Sequence, residues 1–182
     1  MRKLMIVIAG LATAGGATAQ TCKDRIEPTA PLERYTLHDD GTATDRRTGL
    51  RWQRCPLGYT LDDGGTPLDY ADDLCTASGV TTYDWQAALQ AAADLNATTG
   101  FAGFFDWRVP GIKELMTIVE RRCAAPAVNT VVFPDTPVSG LLWSSTTYIR
   151  NTEANTLSLA DGLPGSGFKS GTGSAHYVRL VR

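Results

Sequence analysis

The chain has 182 residues, of which 43% are hydrophobic, and carries seventeen Lys or Arg against nineteen Asp or Glu, for a formal charge of −2. That balance excludes a polyanion binder driven by counterion release, which needs a dense basic surface. The length suits one domain with its own core, and no internal repeat or long linker divides it.

Residues 1–19 read as an export signal. Arg2 and Lys3 form a charged start, Leu4 to Leu11 an apolar run, and Ala17-Thr18-Ala19 an A-x-A cleavage site. The run is too short to span a bilayer, and no later stretch approaches that length, so no membrane insertion is expected after cleavage. Ala19-Gln20-Thr21 before Cys22 is not a lipobox. The expected mature protein is residues 20–182, a single soluble domain, secreted or periplasmic. Its fifteen basic and nineteen acidic residues give a charge of about −4.

Residues 34–52 alternate as strand, turn and strand. Arg34 to Leu37 leads into His38-Asp39-Asp40-Gly41, a tight-turn sequence, and Asp45 accepts backbone hydrogens in a second turn ending at Gly49. Leu50 and Trp52 share a face. Cys22, Cys55, Cys75 and Cys123 all follow the signal. An even count in an exported chain predicts disulfides, with three possible pairings. Closing the Gly- and Asp-rich loop by Cys55–Cys75 is the most local choice and leaves Cys22–Cys123. Chain entropy makes the short loop worth about 3 kcal/mol and the long one about 4 to 5 kcal/mol. Zinc or redox pairs are not supported by the cysteine spacing.

Five aspartates, Asp62, Asp63, Asp69, Asp72 and Asp73, follow. Their spacing does not fit an EF-hand and no Glu closes the set, so a solvated loop is expected. Asp84 is an N-cap signal for a first helix carrying Trp85, Ala88, Leu89, Ala92 and Leu95 inward, ended by Asn96 to Gly100. Phe101, Phe104 and Phe105 should fold under the body. In Asp106 to Leu115 an extended segment stops at Pro110. That residue lacks a backbone donor and holds Val109 extended. Gly111 can cap a second helix, and Glu114 can reach back to its free N–H. At this corner Trp107 reads as an apolar plug, Arg108 as a charge partner and Glu114 as a cap, with structural roles. The helix is expected from about Ile112 to Arg121, with Ile112, Leu115, Ile118 and Val119 inward. Beyond residue 124 the strand candidates are Leu141–Thr147, Thr156–Ala160 and Tyr177–Val181. The glycine-rich stretch 162–173 reads as a flexible loop.

Four segments carry a family resemblance. Asp106 to Leu115 resembles a D-W-R-L-P-x-x-x-E-L signature. Leu142-Trp143-Ser144-Ser145-Thr146 resembles a W-S-S-S/T box. Tyr177 to Arg182 is similar to a closing V-R-x-V-R, and Asp40 to Trp52 to D-G-T-V-T-D-x-x-T-G-L-x-W. In this order they resemble the bacterial family named after the C-terminal domain of the Lcl collagen-like adhesin, over residues 40–182. The resemblance implies an α+β, C-type lectin-like single domain with two helices and a small, mostly antiparallel sheet, more distantly like the formylglycine-generating-enzyme branch. In such folds the terminal strand pairs near the first strand. The adhesin domain is associated with sulfated polysaccharides, a role for which this chain lacks the net charge.

No P-loop, dinucleotide fingerprint or G-x-S-x-G elbow is present. His38 and His176 are isolated, and no cysteine follows Cys123 for formylglycine chemistry. The E-P-N and Q-P-D triplets of calcium-dependent lectins do not occur. No metal, cofactor, catalytic residue or nucleic-acid partner is therefore expected. The leading expectation is a non-catalytic, exported binding or adhesion module for a glycan or protein. An uncharacterised envelope enzyme and a structural subunit of a surface assembly are the alternatives. The expected ligand face is the late segment, with Tyr148, Arg150, Asn151 and Asn155, joined by Lys169, His176 and Tyr177. Oligomeric state is not readable.

Overall fold

The computed structural model describes residues 20–66, 69–79 and 81–182. The expected signal segment lies outside these residues. The architecture is α+β: short helices and several small antiparallel sheets, most of the regular structure being strand.

β1 (Thr21–Cys22) is short. β2 (Tyr35–His38), β3 (Thr42–Asp45) and β4 (Arg51–Gln53) form a three-stranded meander. Its first turn needs the left-handed backbone of Gly41, at φ 79°. In its second turn Asp45 accepts from the Arg47 N–H at 2.9 Å and the Thr48 hydroxyl at 2.7 Å, as its side chain predicts. β5 (Tyr59–Asp62) and β6 (Leu74–Ala77) pair as a hairpin around the aspartate-rich segment, a sheet the sequence reading missed. Alternating Tyr59 and Leu61 carried that signal, and the glycines and aspartates around them hid it.

Helix α1 (Trp85–Ala97) starts where Asp84 accepts from the Ala87 N–H at 2.7 Å. It ends where the Gly100 N–H donates to Leu95. Ala88 and Ala92 are buried along its inner face. α2 (Ile112–Leu115) continues as a 3-10 turn, Met116–Ile118. The expected helix to Arg121 therefore stops early. Val119 leaves to bridge Val128, and the Glu120 carboxylate instead accepts from the backbone N–H groups of Thr29, Ala30 and Arg122. β7 (Cys123–Ala124) pairs with β1, and Cys22–Cys123 bonds across that pair. The second disulfide is Cys55–Cys75. Both expected pairings form.

β8 (Leu141–Thr147), β9 (Glu153–Ser158) and β10 (Pro164–Phe168) make an antiparallel sheet in the order β10-β9-β8. The middle strand begins three residues earlier than read, and β10 lies inside the glycine-rich stretch taken for a loop. Glycine is needed there: a Cβ on Gly167 would lie 2.8 Å from the His176 ring and 3.0 Å from Trp143.

The chain end is extended but joins the body through single bridges rather than a full ladder. Arg51 donates to Arg182, Gln53 to Leu180, and Arg108 to Val181, all backbone to backbone. The last residues thus sit between β4 and the corner and close the fold. The resemblance puts the terminal strand near the first strand; here its partners are β4 and Arg108. Side chains alternate along these last residues. Val181 enters a core with Trp52, Leu115, Phe133, Leu142 and Leu157. Val178 and Leu180 enter a second core with Trp107, Val109, Trp143 and α1. β8 divides the same way, Leu142 to the first core and Trp143 to the second.

Candidate binding cleft

The seven late residues expected to bind a ligand do not form one patch. Tyr148, Arg150, Asn151 and Lys169 gather at the β8–β9 tip, where Lys169 Nζ donates to the Asn151 carbonyl at 2.9 Å and lies 4.4 Å over the Trp85 ring. Arg150 pairs with Glu153. Asn155 is spent inside the sheet, its amide donating to the carbonyls of Thr146 and Thr147 across an irregularity in β8. His176 stacks on Trp143 with centroids 4.5 Å apart, and burial lowers its pKa. Tyr177 packs beside Leu142 at the start of β8, whereas Tyr148 follows the end of that strand. A seven-residue strand separates them by about 20 Å.

Ser144 and His176, a serine and a histidine of the late segment, do not pair as nucleophile and base. The buried Ser144 hydroxyl accepts from the Thr146 N–H at 3.0 Å, and no hydrogen bond joins it to His176 among the described residues.

The corner residues occupy structural positions. Trp107 is buried, and its indole N–H donates to the Phe101 carbonyl at 2.9 Å. The Asn96 amide of α1 grips its backbone at both ends, donating to the Trp107 carbonyl and accepting from its N–H. Trp143 donates to the Tyr83 carbonyl. Pro110 is buried, and its carbonyl accepts from the Ser145 N–H of β8. Glu114 accepts from the Gly111 N–H at 2.7 Å and from both outer nitrogens of Arg108 at 2.6 and 2.7 Å. The hydrogen bonds from Arg108 are the main reason its carboxyl lies below the usual range. Arg108 itself is half exposed, so it braces the corner from outside. Phe101 and Phe104 fold under as expected, but Phe105 remains 58% exposed.

A concavity lies elsewhere, a cleft of about 1030 Å³ with three walls. One is the β2–β3 turn at Asp39–Gly41. The second is the β5–β6 hairpin. The third is the end of α1 with Phe101. The sequence reading passed over all three as turn, solvated loop and helix end.

The aspartate segment is not wholly solvated. Asp73 is buried and pairs with the equally buried Arg54. Arg54 also donates to the carbonyls of Val131 and Val132. Asp135 accepts from the Cys75 N–H at 2.6 Å. With the Cys55–Cys75 bond these contacts hold the loop end of the hairpin, where Leu61 faces Cys75 and Asp62 faces Leu74, while Asp62 and Asp63 themselves stay exposed. Each of those two accepts one backbone N–H, from Gly64 and Gly65.

Gln53 contributes to the cleft from its floor. β4 alternation sends Trp52 into the first core and Gln53 to the opposite face. Gln53 is only 5% exposed, and no protein group hydrogen-bonds its side-chain amide among the described residues; that amide is not sealed from solvent but meets the cleft. An amide offers two donors and an acceptor with two lone pairs, and one lining a cleft holds that capacity for whatever enters. Tyr59, Leu61 and Phe101 supply apolar wall, and Asp39, Asp40, Asp62 and Asp63 supply carboxylates. No Lys, Arg or His among the described residues lines it. Among the described residues no three His, Cys, Asp or Glu side chains are grouped to hold a metal ion, and no helix is long and apolar enough to cross a membrane.

A family model, the Lcl C-terminal domain, matches residues 41–182, most of the chain, so this protein belongs to that family. No curated protein matches the chain.

Proposed function

We infer that this member of the Lcl C-terminal domain family is an exported, non-catalytic binding module that takes a surface glycan in the cleft between the β2–β3 turn, the β5–β6 hairpin and α1. One observation carries the reading: the Gln53 amide, which no protein group hydrogen-bonds among the described residues and which lines that cleft. An amide left to the water of a cleft can exchange that water for the hydroxyls of a sugar. Tyr59 and Phe101 add ring faces on which a sugar can stack. Two disulfides fit an oxidising compartment outside the cytoplasm, where the export signal would send the chain. The cleft is favoured over the late-segment face because Asn155, His176 and Tyr177 already serve the fold there.

A glycan array probed with the oxidised protein tests this reading. Binding to at least one neutral or charged glycan is expected, and Gln53→Ala should abolish it with the melting temperature nearly unchanged. A glycan bound equally well by Gln53→Ala, or lost only on changing Tyr148 and Asn151, would move the site to the late segment.

A further inference from the structure

The cleft differs in charge from the rest of the surface. Four carboxylates line it, those of Asp39, Asp40, Asp62 and Asp63, and no cationic side chain does. Asp40 is partly committed: it accepts from Thr42 and pairs with Arg51 at 2.5 Å. Asp62 and Asp63 each spend one oxygen on a turn N–H and keep the other for solvent or ligand. A cleft lined by one sign of charge, with apolar walls, concentrates the opposite charge. Gln53 adds a need that a bare cation does not meet, because its amide requires neutral donors and acceptors.

Building on the cleft-binding reading above, we propose that the ligand is an amine-bearing sugar: a short oligosaccharide whose protonated amino group meets the Asp62 and Asp63 carboxylates while its hydroxyls complete Gln53. The ammonium gives the carboxylates a charge-assisted partner. The sugar face lies against Tyr59 and Phe101. A sulfated polysaccharide is excluded from this cleft by repulsion, so the site differs in charge preference from a polyanion-binding one. The hairpin that carries the two aspartates is held beside them by Cys55–Cys75 and Arg54–Asp73, so the carboxylates are presented on a fixed wall rather than a free loop.

The test is calorimetric titration of the full oxidised protein with a glucosamine oligosaccharide, with its N-acetylated counterpart, and with an oligolysine peptide. The free amine form should bind, about tenfold tighter than the N-acetylated form, a difference of about 1.4 kcal/mol. It should weaken with added salt. Asp62→Asn with Asp63→Asn keeps the oxygens that hold the turn and removes only charge. This double variant should erase the preference for the amine while leaving the melting temperature nearly unchanged. Equal binding of both oligosaccharides, or a preference that survives the double variant, overturns the amine assignment and leaves the cleft reading standing. Binding of oligolysine without either sugar overturns the sugar part and turns the site into a cationic-peptide cleft. Binding of none of the three overturns the amine assignment, and the array then decides separately whether the cleft holds a different glycan.

Discussion

The tryptophan corner and the aspartate hairpin are stabilised by opposite means. At the corner, Trp107, Val109, Trp143, Val178 and Leu180 are buried together, from segments distant in sequence. Each indole N–H there finds a carbonyl, so large apolar area is removed from water with no polar group stranded. The hairpin buries little: Leu74 is exposed, and Asp62 and Asp63 face solvent. Its position depends on one disulfide, one buried ion pair and one hydrogen bond from Cys75. A region held at only a few points can keep its remaining residues free for a ligand. A region held everywhere cannot. That difference puts the candidate site beside the hairpin and the family's signature residues at the corner.

The largest effect should come from removing the corner's plug. Trp107→Ala deletes a fully buried indole and leaves a cavity, although the Phe101 carbonyl keeps its bond from the Phe104 N–H. The expected loss is about 3 to 5 kcal/mol in urea unfolding. A variant that keeps its midpoint would mean the corner is not a core element.

Next comes the hairpin's ion pair. Asp73→Ala leaves Arg54 buried without its carboxylate, though the Val131 and Val132 carbonyls still accept from it. A loss of about 3 kcal/mol is expected. Unlike Trp107→Ala, it should raise hydrogen exchange first in Tyr59–Asp62 and Leu74–Ala77. Uniform exchange across both regions would erase the contrast between them.

A third prediction uses pH. Burial would raise the Asp45 carboxyl pKa, but hydrogen bonds from Arg34, Thr48 and the Arg47 backbone outweigh burial and hold it below the usual carboxylate value. Glu114 is lowered in the same direction by Arg108. A carboxylate with a depressed folded pKa stabilises the fold above its unfolded pKa, about 4, and loses that contribution as pH falls through the folded value. Asp45→Asn should therefore be less stable than the parent at neutral pH, and the gap in melting temperature should close on acidification below about pH 4. A gap that is constant with pH would show that Asp45 acts by shape rather than charge.

Much of the corner was legible in the sequence because its signals are local. Pro110 before Gly111, Glu114 three residues on and a bulky Trp107 each have a short-range physical reason. So did the Asp84 cap and the Cys55–Cys75 loop. The second helix ran short because Glu120, apparently one more polar helical residue, is claimed by Thr29 and Ala30 from ninety positions away. Arg54 and Arg179 were invisible as core residues, since buried arginines depend on distant carbonyls. Arg179 donates to Gln53 and Arg54 main-chain oxygens and stacks on Phe133 at 4.6 Å. Gln53 could be placed opposite Trp52 by alternation alone. Its meaning could not be read, because the cleft it faces is assembled from residues 39–63 and 95–101. Most of the late residues chosen instead looked free only because sequence does not show that Asn155 is used within the sheet or that His176 is stacked.

The smallest expected effect separates two adjacent residues of one motif. Sequence reading gives Trp107 and Arg108 a shared structural role, and the structure divides it. Arg108 holds Glu114 with two short hydrogen bonds, but its side chain is 49% exposed and water can replace it. Glu114 keeps its bond to the Gly111 N–H without it, and the Arg108 backbone keeps its bridge to Val181. Bidentate geometry places this pair near the upper end for an exposed bridge, about 1 kcal/mol. Arg108→Ala should thus cost about 1 kcal/mol or less, and the loss should shrink further in high salt. Adding Glu114→Ala should cost more than the pair alone, since the helix then loses its cap as well. If Arg108→Ala proves as damaging as Trp107→Ala, the bracing of this corner is cooperative, and the line drawn here between its buried plug and its exposed brace disappears.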